Sequence, residues 1–114
     1  MKNKKITIGY NKKRIKIPIR ECNLFGKSIG LMFSQRETAE NLLFSFKKKQ
    51  NIAIHSFFVF YNFLAVWLDR KNNVVDIKIV KPFSPCVSPS RNTFKLVEIP
   101  INRNNRNIIS FFRR

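Results

Sequence analysis

Leu64-Ala65-Val66-Trp67-Leu68-Asp69-Arg70-Lys71-Asn72-Asn73-Val74-Val75-Asp76-Ile77-Lys78-Ile79-Val80 is the stretch on which the fold turns. It opens with an unbroken apolar run, passes through a polar segment, and then alternates. A short unbroken apolar run rich in Val, Leu and Trp reads as a strand buried on both faces, Leu64 to Asp69. Asp69 to Asn73 is a polar hairpin turn. In Val74 to Val80, Asp76 and Lys78 fall opposite Val75, Ile77 and Ile79, which predicts a strand with one wet face.

Working outward, the same period of two recurs. Ile6, Ile8 and Tyr10 alternate with polar neighbours, and so do Ile15, Ile17 and Ile19, with Gly9 to Lys13 as the turn between two strands. Leu42 to Phe46 predicts a strand, Lys47 to Asn51 a charged hairpin loop, and Ile52 to Val59 a further strand buried on both faces. After Val80, Lys81 to Ser90 holds three prolines and reads as an irregular loop. Phe94 to Ile99 alternates as a last long strand. Asn102 to Asn107 is a polar, basic loop, and Ile108 to Phe112 is expected to close a sheet edge. One helix is expected, over residues 23–33: Asn23 suits an N-cap, Leu24, Phe25, Ser28, Ile29 and Met32 share a helical face, and Gly30 is a helix stop. Ser34 to Asn41 is a loop or one further turn. Many short strands with one short helix predict a mainly β single domain, a β-sandwich or barrel. Its core runs over about residues 6–101, with basic extensions at 1–5 and 102–114.

The charge is lopsided. Twenty-three Lys and Arg face six Asp and Glu, a net +17 on 114 residues. Such an excess repels itself in a compact fold unless a polyanion offsets it. Lys, Asn, Ile and Phe are plentiful, as an AT-rich genome would make them, but that bias does not explain so few acids. With 44% hydrophobic residues and twelve Phe, the chain has enough apolar mass for a core and is no disordered basic tail. Ile52 to Leu68 is very apolar but is broken by His55, Ser56 and Asn62, and is shorter than the ~20 residues of a membrane-spanning helix. Met1 to Tyr10 is Lys-rich without an apolar run or cleavage site. A cytoplasmic location and reduced thiols at Cys22 and Cys86 are therefore expected.

Several segments in order carry a family resemblance: Gly30-Leu31-Met32-Phe33, Leu42-Leu43-Phe44-Ser45-Phe46, Ile54-His55-Ser56-Phe57-Phe58-Val59-Phe60, Val66-Trp67-Leu68-Asp69, Asn73-Val74-Val75, Lys81-Pro82-Phe83 and Leu96-Val97-Glu98-Ile99-Pro100. In order and spacing they resemble the family called domain of unknown function 192, over roughly residues 15–101. The resemblance implies a mostly β, sandwich-like domain with a jelly-roll flavour and one short helix before the Gly-Leu-Met segment. It implies no known activity. Many members of that family are exported behind a signal peptide or anchor, and none is visible here. The family usually has an acid in the strand after the His-x-Phe-Phe segment, where this chain reads Phe63-Leu64-Ala65. The basic flanks, Met1 to Lys13 and Asn102 to Arg114, lie largely outside the match.

No paired carboxylates, phosphate-binding glycine loop or zinc spacing appears, so no catalytic residue, cofactor or metal is assigned. His55 has no neighbouring base partner or second ligand and reads as a structural, hydrogen-bonded histidine. Asp69 and Asp76 flank a hairpin, and turn formation is the expected role of Asp69. Phe57, Phe58, Phe60, Tyr61, Phe63 and Trp67 are expected in the core, because exposed they would form a sticky patch. Tyr10, beside Lys12, Lys13 and Arg14, is the better base-stacking candidate.

The basic clusters are the candidate nucleic-acid contacts: Lys2, Lys4 and Lys5; Lys12, Lys13, Arg14, Lys16 and Arg20; Lys47, Lys48 and Lys49; and Arg103, Arg106, Arg113 and Arg114. Residues 1–20 contain no acid, unlike an ordinary solvated surface. The leading expectation is a small RNA-binding protein docked on a ribonucleoprotein such as the ribosome, touching rRNA phosphates and neighbouring ribosomal proteins without reading bases. A second is a β-sandwich binding module or enzyme for a small anion or acidic glycan, with a pocket near His55, Trp67 and Lys81. A third is attachment to anionic lipid through the N-terminal lysines.

Overall fold

The computed structural model describes residues 3–22 and 31–113. Among these residues six strands and one helix follow in chain order: β1 (Asn3–Tyr10), β2 (Lys13–Glu21), β3 (Leu42–Gln50), β4 (Phe63–Leu68), β5 (Val74–Val80), β6 (Thr93–Pro100) and α1 (Arg106–Phe112). β1 and β2 form a hairpin in which Tyr10 pairs with Lys13, leaving Asn11 and Lys12 as the loop. Both have positive φ, 51° and 65°, the type I′ geometry whose twist matches that of the flanking strands.

The strands make one sheet in the order β1-β2-β3-β6-β4-β5. The β2–β3 pairing is parallel and short, Arg20 with Leu42 and Glu21 with Leu43; the other pairings are antiparallel. The sheet curls until its edges touch: the Gly9 N–H donates to the Asn72 carbonyl at 3.0 Å, and Gly9 bridges Asn73. The expected mainly β single domain is therefore what this chain forms, its layers being walls of one curled sheet; the short helix among the described residues is α1, not the one expected over 23–33.

β4 explains the apolar run. Leu64, Val66 and Leu68 point inward with Ile8, Ile17, Val97 and Ile99. Phe63, Ala65 and Trp67 point outward, under Leu31, Ile52, Val59 and Tyr61. All six β4 residues are buried, and the Trp67 indole N–H donates to the Ile52 carbonyl at 2.8 Å. A strand packed on both faces has no use for alternation.

Four expectations are corrected or fall elsewhere. Ile52 to Val59 is not a strand: only the isolated bridge of Ile54 with Val87 forms, because β6 takes the edge of β3 beside which that strand would lie. Lys47 to Asn51 is not a hairpin loop, since Lys47 to Gln50 extend β3. The helix expected over 23–33 lies outside the described residues except for Leu31–Phe33, which is a turn. Ile108 to Phe112 is helical, not an edge strand. Ile108, Ile109 and Phe112 fall one and four residues apart on a single helical face, and all three join the inner core.

Buried asparagines fasten α1. The Asn105 amide donates to Asn41 Oδ1 at 2.8 Å and to the Pro100 carbonyl at 2.7 Å, and Asn41 donates to the Pro18 carbonyl at 3.0 Å. The start of α1 is thereby tied to β2, β6 and the entry to β3.

Candidate nucleic-acid interface

Strand alternation sorts the basic residues. Ile6, Ile8, Ile17 and Ile19 face the core, so Lys5 of β1 and Arg14, Lys16 and Arg20 of β2 share the outer face. The register sets Thr7 opposite Lys16 and Lys5 opposite Pro18 on that face. Lys12 and Lys13 occupy the exposed tip, beside a shallow cleft that includes Asn73 and Val74. Lys47, Lys48 and Lys49 are exposed at the far end of β3. Lys2 and Arg114 lie outside the described residues. Two of the cations are offset: Lys4 pairs with Glu21 at 2.9 Å and Arg20 with Glu40 at 3.0 Å.

The densest cation site lies elsewhere. Arg36, Arg103, Arg106 and Arg113 line one open cleft of about 450 Å³, with Glu37 as its acid. Two distant segments meet there: Asn102 donates to the Arg36 carbonyl at 2.7 Å, and the Arg103 N–H donates to Glu37 Oε1 at 3.1 Å. Arg36 Nε donates to the other Glu37 oxygen at 3.1 Å. The Arg103 N–H first, and then the Arg36 guanidinium, hold the Glu37 carboxyl below its ordinary range against some desolvation. Glu37 is thus committed to building the cleft, which leaves the guanidinium groups of Arg103, Arg106 and Arg113 facing solvent. Each can fork onto a phosphate with two hydrogen bonds.

Arg36 escaped the sequence reading because it sits in a polar segment next to an acid, the usual look of a solvated turn. Its bond with Asn102, which brings it beside Arg103, spans 66 positions, and no local pattern announces that. Both aspartates are engaged as well. Asp69 Oδ1 accepts the Lys71 and Asn73 N–H groups at 2.8 and 2.9 Å, the turn role expected of it. Asp76 accepts from Ile77 and Ser90. The two aspartates serve different backbone groups and do not form a pair.

Other candidates land apart from one another. The Tyr10 ring packs on Phe111 and Phe112, with centroids 6.3 and 5.7 Å away, so one side of it is taken by α1. Trp67 is wholly buried, whereas His55 and Lys81 are exposed; an enclosed indole has no surface to give a ligand shared with them. His55 Nδ1 accepts the Phe57 N–H at 3.2 Å. Of the aromatics expected in the core, Tyr61, Phe63 and Trp67 are buried, but Phe57, Phe58 and Phe60 are exposed. That correction follows from the loss of the expected 52–59 strand, which would have turned alternate rings inward. Cys22 is half-buried and Cys86 exposed. Among the described residues, no helix is long and apolar enough to cross a membrane, which says nothing of a β-barrel.

No family model and no curated protein matches the sequence. Solved structures are similar in fold. A candidate transcription regulator from Sinorhizobium meliloti 1021 superposes with a TM-score of 0.69 at 13% identity, over 82% of this chain and 76% of its own. A protein of unknown function from Novosphingobium aromaticivorans DSM 12444 superposes with a TM-score of 0.73 at 13% identity, over 93% of this chain and 78% of its own. At this identity the likeness establishes a shared fold and leaves function to the side chains.

Proposed function

We propose that this protein binds RNA through its phosphates, using the arginine cleft and the outer face of the β1–β2 hairpin. The observation that carries the proposal is the cleft: four arginines from two distant segments line it with a single carboxylate, Glu37, which is already bonded to the Arg36 guanidinium and the Arg103 N–H. The net charge of +17 supplies the long-range attraction. A cytoplasmic setting and docking on a ribonucleoprotein such as the ribosome belong to the same proposal. So does kinship with the domain of unknown function 192 family, which rests on the ordered segments between residues 30 and 100 and adds no activity.

Salt dependence tests it. If about five phosphates are engaged, the logarithm of affinity for single-stranded RNA falls against the logarithm of salt with a slope near −3.5. Replacing Arg103 and Arg106 together by Ala removes two of those contacts and makes the slope shallower by about 1.4. A slope near zero for the unaltered protein defeats the proposal. Because the Sinorhizobium neighbour is described as a candidate transcription regulator, duplex DNA belongs in the same titration; a clear preference for it would redirect the reading from RNA to DNA.

A further inference from the structure

Four phenylalanines form an exposed aromatic face. Phe33, Phe58, Phe60 and Phe83 are 65%, 46%, 61% and 45% exposed. Phe33 stacks on Phe58 with centroids 5.1 Å apart, and Phe83 meets Phe58 and Phe60 edge-on at 5.8 and 5.3 Å. A monomeric protein rarely leaves so much contiguous apolar surface in water without a use for it.

The backbone holds these rings outward. Phe33, Phe58 and Phe83 have positive φ, 62°, 61° and 59°, a left-handed conformation that bulky L-residues avoid. Hydrogen bonds between segments maintain it. The Phe33 N–H donates to the Phe58 carbonyl at 2.8 Å, and the Phe83 N–H to the Ser56 carbonyl at 2.9 Å. Ser56 is fully buried; its hydroxyl donates to the Lys81 carbonyl at 2.5 Å and accepts the Ser84 N–H at 2.7 Å. Solvent exposure and backbone preference both oppose this arrangement, and the fold keeps it. Strain of this kind gathers where a site is pre-shaped.

The neighbourhood indicates the occupant. Arg36 and Glu37 form a common wall: one side faces Phe33 and Phe60, the other faces Arg103, Arg106 and Arg113. An exposed cluster of aromatic rings beside several guanidinium groups complements a chain with aromatic faces and regularly spaced phosphates. We infer that this aromatic face stacks the bases of unpaired RNA while the adjoining arginine cleft holds its phosphates, an inference that rests on the RNA-binding reading above. A duplex keeps its bases stacked inside and offers no such faces. Stacking on aromatic rings is tolerant of sequence, which fits a surface with no base-reading motif.

The test is fluorescence anisotropy with a labelled single-stranded RNA of roughly twelve nucleotides, within the span such surfaces cover, and with the same strand annealed to its complement. The variants are Phe60→Ser, Phe33→Asn, whose new residue tolerates a left-handed backbone, and the double Arg103→Ala/Arg106→Ala. Thermal unfolding confirms that each is folded. The expected result is tighter binding of the single strand than of the duplex, and a loss of about tenfold on the single strand for each Phe variant. Those variants leave the salt slope as it was, while the double Arg variant makes it shallower. If the Phe variants bind the single strand like the unaltered protein while the Arg variant weakens it, the stacking inference is overturned and phosphate binding stands. If no RNA binds at low salt, both readings fall together. If the Phe variants keep RNA affinity but lose flotation with phosphatidylserine–phosphatidylcholine vesicles, the face is a membrane surface and the inference is overturned.

Discussion

Glu98 is the residue whose placement has the clearest thermodynamic consequence. It sits in β6 between Leu42 on β3 and Ala65 on β4, and it is 7% exposed. The ion pairs formed among the described residues use other acids. Burial pushes its carboxyl up to about 7, from 4.5, and its nearness also helps push the Tyr61 phenol up, after burial itself. Between those two pH values the folded protein holds a proton that the unfolded chain has released. Stability contributed by the neutral carboxyl is therefore complete below the unfolded value and is lost as pH rises through about 7. Glu98→Gln should be more stable than the unaltered protein at about pH 8, by at most about 3 kcal/mol, and nearly equal to it at about pH 4.5. Urea unfolding at the two pH values measures the difference; equal stabilities at the higher pH would mean that the carboxylate is solvated after all. The alternation of β6 puts Glu98 on the strand face opposite Val97 and Ile99 and in line with Leu96. Glu98 is dry because Leu31, Ile52, Val59 and Tyr61, from the segments before and after β3, cover that face of the sheet.

At the scale of elements, α1 closes the curled sheet, and two kinds of contact hold it. Ile108, Ile109 and Phe112 enter the inner core, while Asn105 ties the first turn to Asn41 and Pro100. Asn105→Ala leaves Asn41 Oδ1 and the Pro100 carbonyl without those bonds in a buried place, at a cost of about 2 kcal/mol. Ile109→Ala removes core volume as well as apolar contact and costs about 3 kcal/mol. Denaturant titration should show both losses, and a shift under half a kilocalorie for either would mean that α1 is a loosely attached tail. The β1–β2 hairpin gives the opposite case. Lys12 holds φ at 65°, where glycine suffers no steric penalty, so Lys12→Gly should raise stability by up to about 1 kcal/mol. The same titration checks it.

On the scale of the whole molecule, charge dominates. With a net +17 and three exposed ion pairs among the described residues, repulsion between cations opposes the compact state. Screening relieves it, so raising monovalent salt from about 20 mM to about 300 mM should stabilise the fold by roughly 1 kcal/mol, or roughly 4 °C in Tm for a domain of this size. Scanning calorimetry across that range checks the sign: a Tm that falls with salt would show that attractive pairs outweigh repulsion.

Part of this molecule could be read one residue at a time. Alternation in 6–10, 15–19 and 74–80, the unbroken run at 64–68 and the polar turns beside them set the strands, the hairpins and the mainly β class, because a strand's period links residues two apart. The deficit of acids could be read in the same way, since net charge is a sum that needs no coordinates. Ile108 to Phe112 shows where local reading stops: its spacing suits a helix, yet a short apolar run fits a strand equally well until the open end of the inner core settles the choice. The arginine cleft and the aromatic face belong to the tertiary structure alone. Arg36 meets Asn102, and Glu37 meets Arg103, across 66 positions, and three phenylalanines are turned outward by hydrogen bonds between segments 31–34, 56–60 and 81–84. Contacts of that range follow from how the sheet curls and what crosses its outer face, and no window of neighbouring residues contains that information.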